Sequence, residues 1–429
     1  MREAPDLKGT KYMQEQTPTP RSATEHSSRE RPRPVALAGA RTAAAVAAAV
    51  IGGIIVLLAL GTAFGPGEFI GTLASAFVWP FFGPQLVVLS LVAGLLCIPL
   101  WRARRRPVLR AVASGLAATA LVASTSITGV MVTAAYDNGG SVDLGQALTL
   151  STPSAGPDSV SSYVTVDGKP QQARVFEPER GAEGAPVMMY IHGGAWYMGS
   201  AESSDQIARS FAGKGFYVVN IDYRLSDPTN PTWNKAPADV ACGLAWTAQQ
   251  AADAGADADR LTVVGDSAGG HLSMLLGWSA ADAAAVSSCP ELGDVPVPDA
   301  VVVSYPVADL TYTAENGTAP LGVDPQVFTR DFLGGSPDEE KDRLTAVSPL
   351  TYASEKTPPT LIVQPELDDF IPAEGNYAVA REAERAGVDV TVARVPFGYH
   401  GFDSLPGSIG GQTRTTIVLN WLQNLDLAP

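Results

Sequence analysis

Charge is missing from long stretches of this 429-residue chain, of which only 17% is charged. After Arg41 no charged residue appears until Glu68, and Phe69–Trp101 and Ala111–Tyr136 carry none either. A bilayer core takes about 20 consecutive apolar residues as a helix. The runs 42–64, 82–101 and 111–136 are accordingly read as membrane spans. Trp79, Pro80 and Pro84 divide the middle stretch and leave Phe69–Val78 near the outer interface. One such run could be a buried core helix, but three in succession with short loops argue against that. The first begins too far in and is too long for a cleaved signal peptide. Histidine and cysteine are scarce, at four and three, and their spacing forms no metal-ligand pattern. No repeat is evident, and nothing calls for a cofactor. Cys97 falls inside a span. Cys242 and Cys289 lie further on, where a disulfide is permitted outside the cytoplasm, but whether they meet is not readable.

Positive charge is absent between the first two spans. Arg21, Arg29, Arg31, Arg33 and Arg41 precede the first, and Arg102, Arg104, Arg105, Arg106 and Arg110 separate the second from the third. The positive-inside rule then puts the N-terminus in the cytoplasm and everything after Asp137 outside. Residues 1–41, polar and Pro-rich, read as a disordered basic tail, and 137–160 as a flexible Gly/Ser/Thr/Pro linker. Residues 136–429 hold 16 Lys and Arg against 38 Asp and Glu, a net of −22. So acidic a domain argues against nucleic acid and anionic head groups as partners and disfavours polyanionic substrates.

What is present carries chemistry. The apolar run Leu261–Val264 enters Gly265-Asp266-Ser267-Ala268-Gly269, followed by the helix-like Gly270–Leu276. A strand, a Gly-x-Ser-x-Gly turn and a helix are what lift a serine hydroxyl to where a histidine can deprotonate it. A second strand-like run, Pro186–Ile191, ends in His192-Gly193-Gly194-Ala195-Trp196. Two glycines let the backbone approach a substrate closely. The N–H groups of Gly193, Gly194 and Ala268 are therefore assigned to an oxyanion hole, where each donor is worth about 2.7–4 kcal/mol of barrier. Trp196 and Asp266, flanking these groups, are candidate substrate-binding positions.

The base follows by elimination. His26 lies in the tail, His192 in the oxyanion loop, and His271 one turn along the new helix, pointing away. His400, in Gly398-Tyr399-His400-Gly401-Phe402, remains, C-terminal to the serine as in the chain order Ser…Asp…His of the α/β-hydrolases, which this stretch resembles. The strand-like Pro359–Val363 delivers Glu366-Leu367-Asp368-Asp369 at its end. A carboxylate there can orient an imidazole, and either Asp368 or Asp369 can supply it.

From about Ser161 to the C-terminus the chain resembles the α/β-hydrolase fold, a doubly wound, mostly parallel sheet. Within it, the chain is similar to carboxylesterases of the hormone-sensitive-lipase and bacterial feruloyl/acetyl esterase-like groups. The motifs are His192–Trp196, Asp222-Tyr223-Arg224-Leu225, Gly265–Leu272, Ser348-Pro349-Leu350, Asp368–Pro372 and His400-Gly401-Phe402. The resemblance places the acid at the start of Asp-x-apolar-Ile-Pro, which selects Asp368. It departs at Gln364-Pro365, where relatives often carry His-Gly. No N-terminal cap precedes the first strand. Residues 310–344 are the cap material, expected as one short helix around Pro325–Phe332 plus loops, with Asn316-Gly317-Thr318 a turn rather than a glycosylation site. A sparse cap suits short-to-medium acyl esters. The expectation is an extracytoplasmic, membrane-anchored serine carboxylesterase over 161–429, with catalytic Ser267, His400 and Asp368. An acyltransferase using the same triad, or a non-catalytic surface protein retaining the fold, are the alternatives.

Overall fold

The computed structural model describes residues 34–65, 68–103, 106–152, 156–319 and 322–429. Helix α1 (Pro34–Phe64) is followed by α2 (Phe69–Leu73), which runs through a π-helical turn (Ala74–Val78) into α3 (Trp79–Ala103), and then by α4 (Pro107–Asp137). Three runs, Ala38–Phe64, Phe69–Arg102 and Pro107–Asp137, are long and apolar enough to cross a membrane. Only 22%, 33% and 33% of their most apolar stretches is buried in the protein, so most of their apolar surface needs lipid around it. Where helices touch, small residues let them close: a Cβ on Gly52 would fall 2.8 Å from the Leu116 carbonyl carbon. Trp79 Nε1 donates to Thr62 Oγ1 at 2.8 Å.

Three boundaries differ from the sequence reading. Helix α1 starts at Pro34, so residues 34–41 are helical rather than tail. The rest of the tail, with Arg21, Arg29, Arg31, Arg33 and His26, lies outside the described residues, as do Arg104 and Arg105. The prolines do not divide the second span: a wide π turn ends two residues before Pro80, and α3 continues through Pro84. Residues 138–152, the first part of the segment read as a flexible linker, are instead a docked strap, and 153–155 lie outside the described residues. The strap forms α5 (Leu144–Thr149), capped by the Asp143 carboxylate, and is bonded to the last helix of the chain: the Asp143 N–H donates to Gln412 Oε1 at 2.7 Å.

The C-terminal domain is built on one eight-stranded sheet of order β1-β2-β4-β3-β5-β6-β7-β8. Its strands are β1 (Ser159–Val166), β2 (Lys169–Phe176), β3 (Pro186–Ile191), β4 (Tyr217–Ile221), β5 (Asp257–Asp266), β6 (Ala300–Ser304), β7 (Thr360–Pro365) and β8 (Val390–Val395). The β1–β2 and β2–β4 pairs are antiparallel and all others parallel. Parallel strands covered on both faces must be apolar on both, and β3, β4, β6 and β7 are buried at every position. The helices are α6 (Asp205–Ala212), α7 (Ala236–Asp253), α8 (Ser267–Ala281), α9 (Leu310–Asn316), α10 (Pro325–Leu333), α11 (Lys341–Val347), α12 (Ala373–Arg385) and α13 (Ile409–Asn424).

Alternation along the strands assigns the layers. Val187, Met189 and Ile191 face Val240 and Leu244 of α7 and Leu272 of α8. Met188 and Tyr190 face Phe211 of α6 and Ile417 and Val418 of α13. Cys242 of α7 and Cys289, beyond α8, form a disulfide with Cα atoms 5.3 Å apart. Among the described residues the cap holds three short helices, α9 to α11, instead of the single one expected.

Candidate active site

Strand β5 ends in Asp266, and α8 starts at once with Ser267, leaving no loop in which to relax. Ser267 takes φ +53°, a left-handed conformation costly for a residue with a Cβ. The turn is possible because glycines stand two residues to either side: a Cβ on Gly269 would fall 2.1 Å from the Ile191 carbonyl oxygen, and one on Gly265 2.4 Å from the Gly269 carbonyl oxygen. Ser267 is thereby held at the head of α8, 6% exposed.

Strands β7 and β8 bring the other two groups. His400 Nε2 lies 3.0 Å from Ser267 Oγ, and His400 Nδ1 lies 2.8 Å from Asp368 Oδ2. The other Asp368 oxygen accepts from the Ile371 N–H at 3.0 Å. Burial raises the Asp368 carboxyl above its ordinary value, against the opposing charge and hydrogen bond of His400. Asp369 is committed elsewhere: its Oδ1 accepts from the Tyr399 hydroxyl at 2.5 Å and the Thr318 hydroxyl at 2.9 Å. This ties the Asn316-Gly317-Thr318 turn to the acid loop. Gln364, at the departure from the family pattern, is buried and accepts from Asn376 Nδ2 at 2.8 Å.

The Gly-Gly loop after β3 lies against the serine. A Cβ on Gly193 would fall 3.2 Å from Ser267 Cβ and 2.5 Å from Asp266 Oδ2. Among the described residues, neither the Gly193 nor the Gly194 N–H donates to a backbone carbonyl. Ala268, in the first turn of α8, has no carbonyl four residues back within the helix. Gly194 takes φ +122°, with Ala195 and Trp196 also left-handed. That backbone turns Trp196 inward. It is fully buried, stacked on Phe332 at 4.3 Å with the His271 ring 5.2 Å away, so it supports the loop and does not line the substrate path as expected.

Asp266 likewise faces the protein, accepting from the Tyr190 hydroxyl at 2.6 Å. Burial raises its carboxyl despite that bond. His192 stacks on Tyr223 at 4.4 Å, and burial lowers its imidazole. His271 Nε2 bonds the Val347 carbonyl at 2.8 Å, with burial lowering it to about 4.

A buried polar cluster beneath the site escaped the sequence reading. Arg414 Nη1 donates to the Tyr190 hydroxyl at 3.1 Å, and Arg414 pairs with Asp403 at 3.0 Å. The Tyr305 hydroxyl donates to Asp403 at 2.5 Å, and its ring lies 4.5 Å from that of His400. The cluster thus joins Asp266, beside the serine, to the ring packed on the histidine. One signal was available: Arg414 is the sole charge between Asp403 and Asp426. A lone charge on a helix that must pack on a sheet asks for a buried partner.

The BD-FAE family model matches residues 174–382. Carboxylesterase NlhH of Mycobacterium tuberculosis is 32% identical over 238 residues, covering 53% of this chain and 70% of NlhH. Esterase LipC of the same organism is 30% identical over 237 residues, covering 55% of this chain and 57% of LipC. The chain therefore spans little more than half the length of LipC. Thermogutta terrifontis esterase 2 phosphonylated by sarin aligns at TM-score 0.53 and 22% identity, over 65% of this chain and 97% of that one. At that identity the likeness is one of fold.

Proposed function

Because this chain belongs to the α/β-hydrolase esterases, we propose that it is a membrane-anchored serine carboxylesterase acting outside the cytoplasm through Ser267, His400 and Asp368. The observation that carries this reading is the continuous path Ser267 Oγ, His400 Nε2, His400 Nδ1, Asp368 Oδ2, at 3.0 and 2.8 Å. Ser267 Oγ attacks the ester carbonyl while His400 Nε2 takes its proton. Asp368 holds the proton on Nδ1 and stabilises the imidazolium. The Gly193, Gly194 and Ala268 N–H groups receive the oxyanion. The C–O bond then breaks, His400 returns the proton to the departing alcohol, and water repeats the sequence to release the acid.

Two features support the outward orientation. Arg41, Arg102, Arg106 and Arg110 gather at one end of the spans, the end the positive-inside rule assigns to the cytoplasm. The Cys242–Cys289 disulfide suits an oxidising compartment. The rings of Tyr305 and Phe370, 4.5 and 4.8 Å from His400, crowd the space beside the base and favour short-to-medium acyl groups.

The test is covalent. A fluorophosphonate probe should label the full chain and fail on Ser267→Ala, with hydrolysis of short-chain esters lost in parallel. His400→Ala should lower kcat by about 10⁴–10⁶. Undiminished labelling of Ser267→Ala would remove the assignment.

A further inference from the structure

The outer ends of the membrane helices run along the catalytic domain instead of trailing away from it. Gly83 of α3 is the meeting point: its Cβ would fall 2.7 Å from Thr128 Oγ1 of α4 and 3.4 Å from Cδ1 of Ile409, the first residue of α13. Further along, Gly139 abuts Asn420, Gly140 abuts Thr416, and the Ser141 N–H donates to Thr416 Oγ1 at 2.8 Å. From Thr128 to Gly140 and from Ile409 to Asn420, the two segments therefore advance side by side in one direction. At 1.5 Å per residue this is about 18 Å of shared path.

Helix α13 runs against the strands. Trp421, near its end, donates to Thr391 at the start of β8 at 3.2 Å. Gly410, at its beginning, touches Phe402 beyond the end of β8 and Pro80 of α3. The parallel strands consequently point opposite to α4. From Pro107, about 20 residues cross a bilayer core, so α4 emerges near Thr128. The strand ends that carry Ser267, Asp368 and His400 then face back towards the membrane surface.

The side chains at that edge fit this placement. Phe397, three residues before His400, packs into the cluster of Trp79, Leu86, Ile127, Met131 and Ile409. Tyr197 and Met198 of the oxyanion loop, Val327 of the cap and Leu148 of α5 are exposed there at 38%, 41%, 40% and 43%. The opposite edge exposes Val297, but its rim carries Glu179, Arg180, Glu183 and Lys214.

We propose that the substrate is an uncharged lipid ester of the outer leaflet, a short acyl group on a membrane-anchored alcohol, which reaches Ser267 from the bilayer surface. The net charge of −22 over residues 136–429 argues for an uncharged head. The proposal rests on the esterase reading above and on the three helices crossing a bilayer.

The test uses the full chain in phosphatidylcholine vesicles. A bimane label on Val327→Cys should be quenched by headgroup-spin-labelled lipid more strongly than one on Lys214→Cys. Cys97 is buried and does not compete for label. Equal or reversed quenching overturns the orientation. In the same vesicles hexadecyl acetate should be hydrolysed about ten-fold faster than butyl acetate at equal bulk concentration, through its concentration in the bilayer. That rate should fall when added phosphatidylcholine dilutes it. Hydrolysis of butyl acetate with none of hexadecyl acetate overturns the lipid proposal and leaves the esterase reading standing. Hydrolysis of neither, with no fluorophosphonate labelling, overturns both.

Discussion

Replacing Arg414 by methionine retains most of an inward-facing side chain and removes the charge from the cluster beneath the site. The Arg414 and Asp403 side chains are only 2% and 1% exposed and lie 3.0 Å apart. With the guanidinium gone, the Asp403 carboxylate retains the Tyr305 hydroxyl and loses its counter-charge. Leaving one charge of a buried pair uncompensated costs about 3–5 kcal/mol. At about 2–4 °C per kcal/mol for a domain of this size, the Tm should fall by about 6–20 °C. Replacing both, Arg414→Met with Asp403→Leu, should recover most of the loss, because an apolar pair of similar volume is neutral to about 4 kcal/mol better than the ion pair it replaces. The assay is thermal unfolding of the full chain in detergent at one scan rate, read as a double-mutant cycle. Below its melting range the single variant should also lose activity, since the cluster ends at Asp266 and at the Tyr305 ring beside His400. A single variant as stable as the parent, or a double variant no better than the single, would refute the reasoning.

Asp368→Asn should lower kcat by about 10⁴ by fixing the wrong imidazole tautomer. Asp369→Asn should mainly lower the Tm, because it weakens the bonds to Tyr399 and Thr318, and the reverse ranking would move the acid to Asp369. Cys242→Ser, opening a loop with a 47-residue separation, should cost about 4 kcal/mol on the chain-entropy account. A Tm unmoved by reductant in the parent would count against the bridge. Buried His271, lowered from 6.5 to about 4, binds a proton more readily in the unfolded chain between those values. Stability should therefore rise with pH through that window and be complete above it, a span of about 3 kcal/mol. His192, lowered by the same cause, adds to the slope. His271→Gln should remove its share, and an unchanged slope would show that His271 is not buried neutral.

The sequence by itself determined whatever rests on local chemistry. A strand buried on both faces has to be a continuous apolar run, so Pro186–Ile191 and Leu261–Val264 were legible, and the glycines around Ser267 marked the one turn that needs them. Three uncharged stretches declared themselves because a bilayer tolerates little else. Elimination reached His400 because only four histidines exist. Asp368 and Asp369 are adjacent and chemically equal, and in the sequence only the resemblance to the esterase pattern chose Asp368. The physical reason lies in Tyr399 and Thr318, which occupy Asp369 and leave Asp368 to the imidazole. Trp196 looked like a substrate contact until the left-handed backbone at Ala195 and Trp196 turned it inward onto Phe332. Residues 137–160 read as a linker because short polar sequences carry no periodicity, and Gly139–Asp143 among them are held by Gln412, Thr416 and Asn420, more than 250 residues away. The meeting of Cys242 with Cys289 and the clustering of Tyr190, Arg414, Asp403 and Tyr305 belong to the same class. Each is a contact between elements remote in sequence, fixed by how whole helices pack on the sheet and on one another, and no local pattern encodes it.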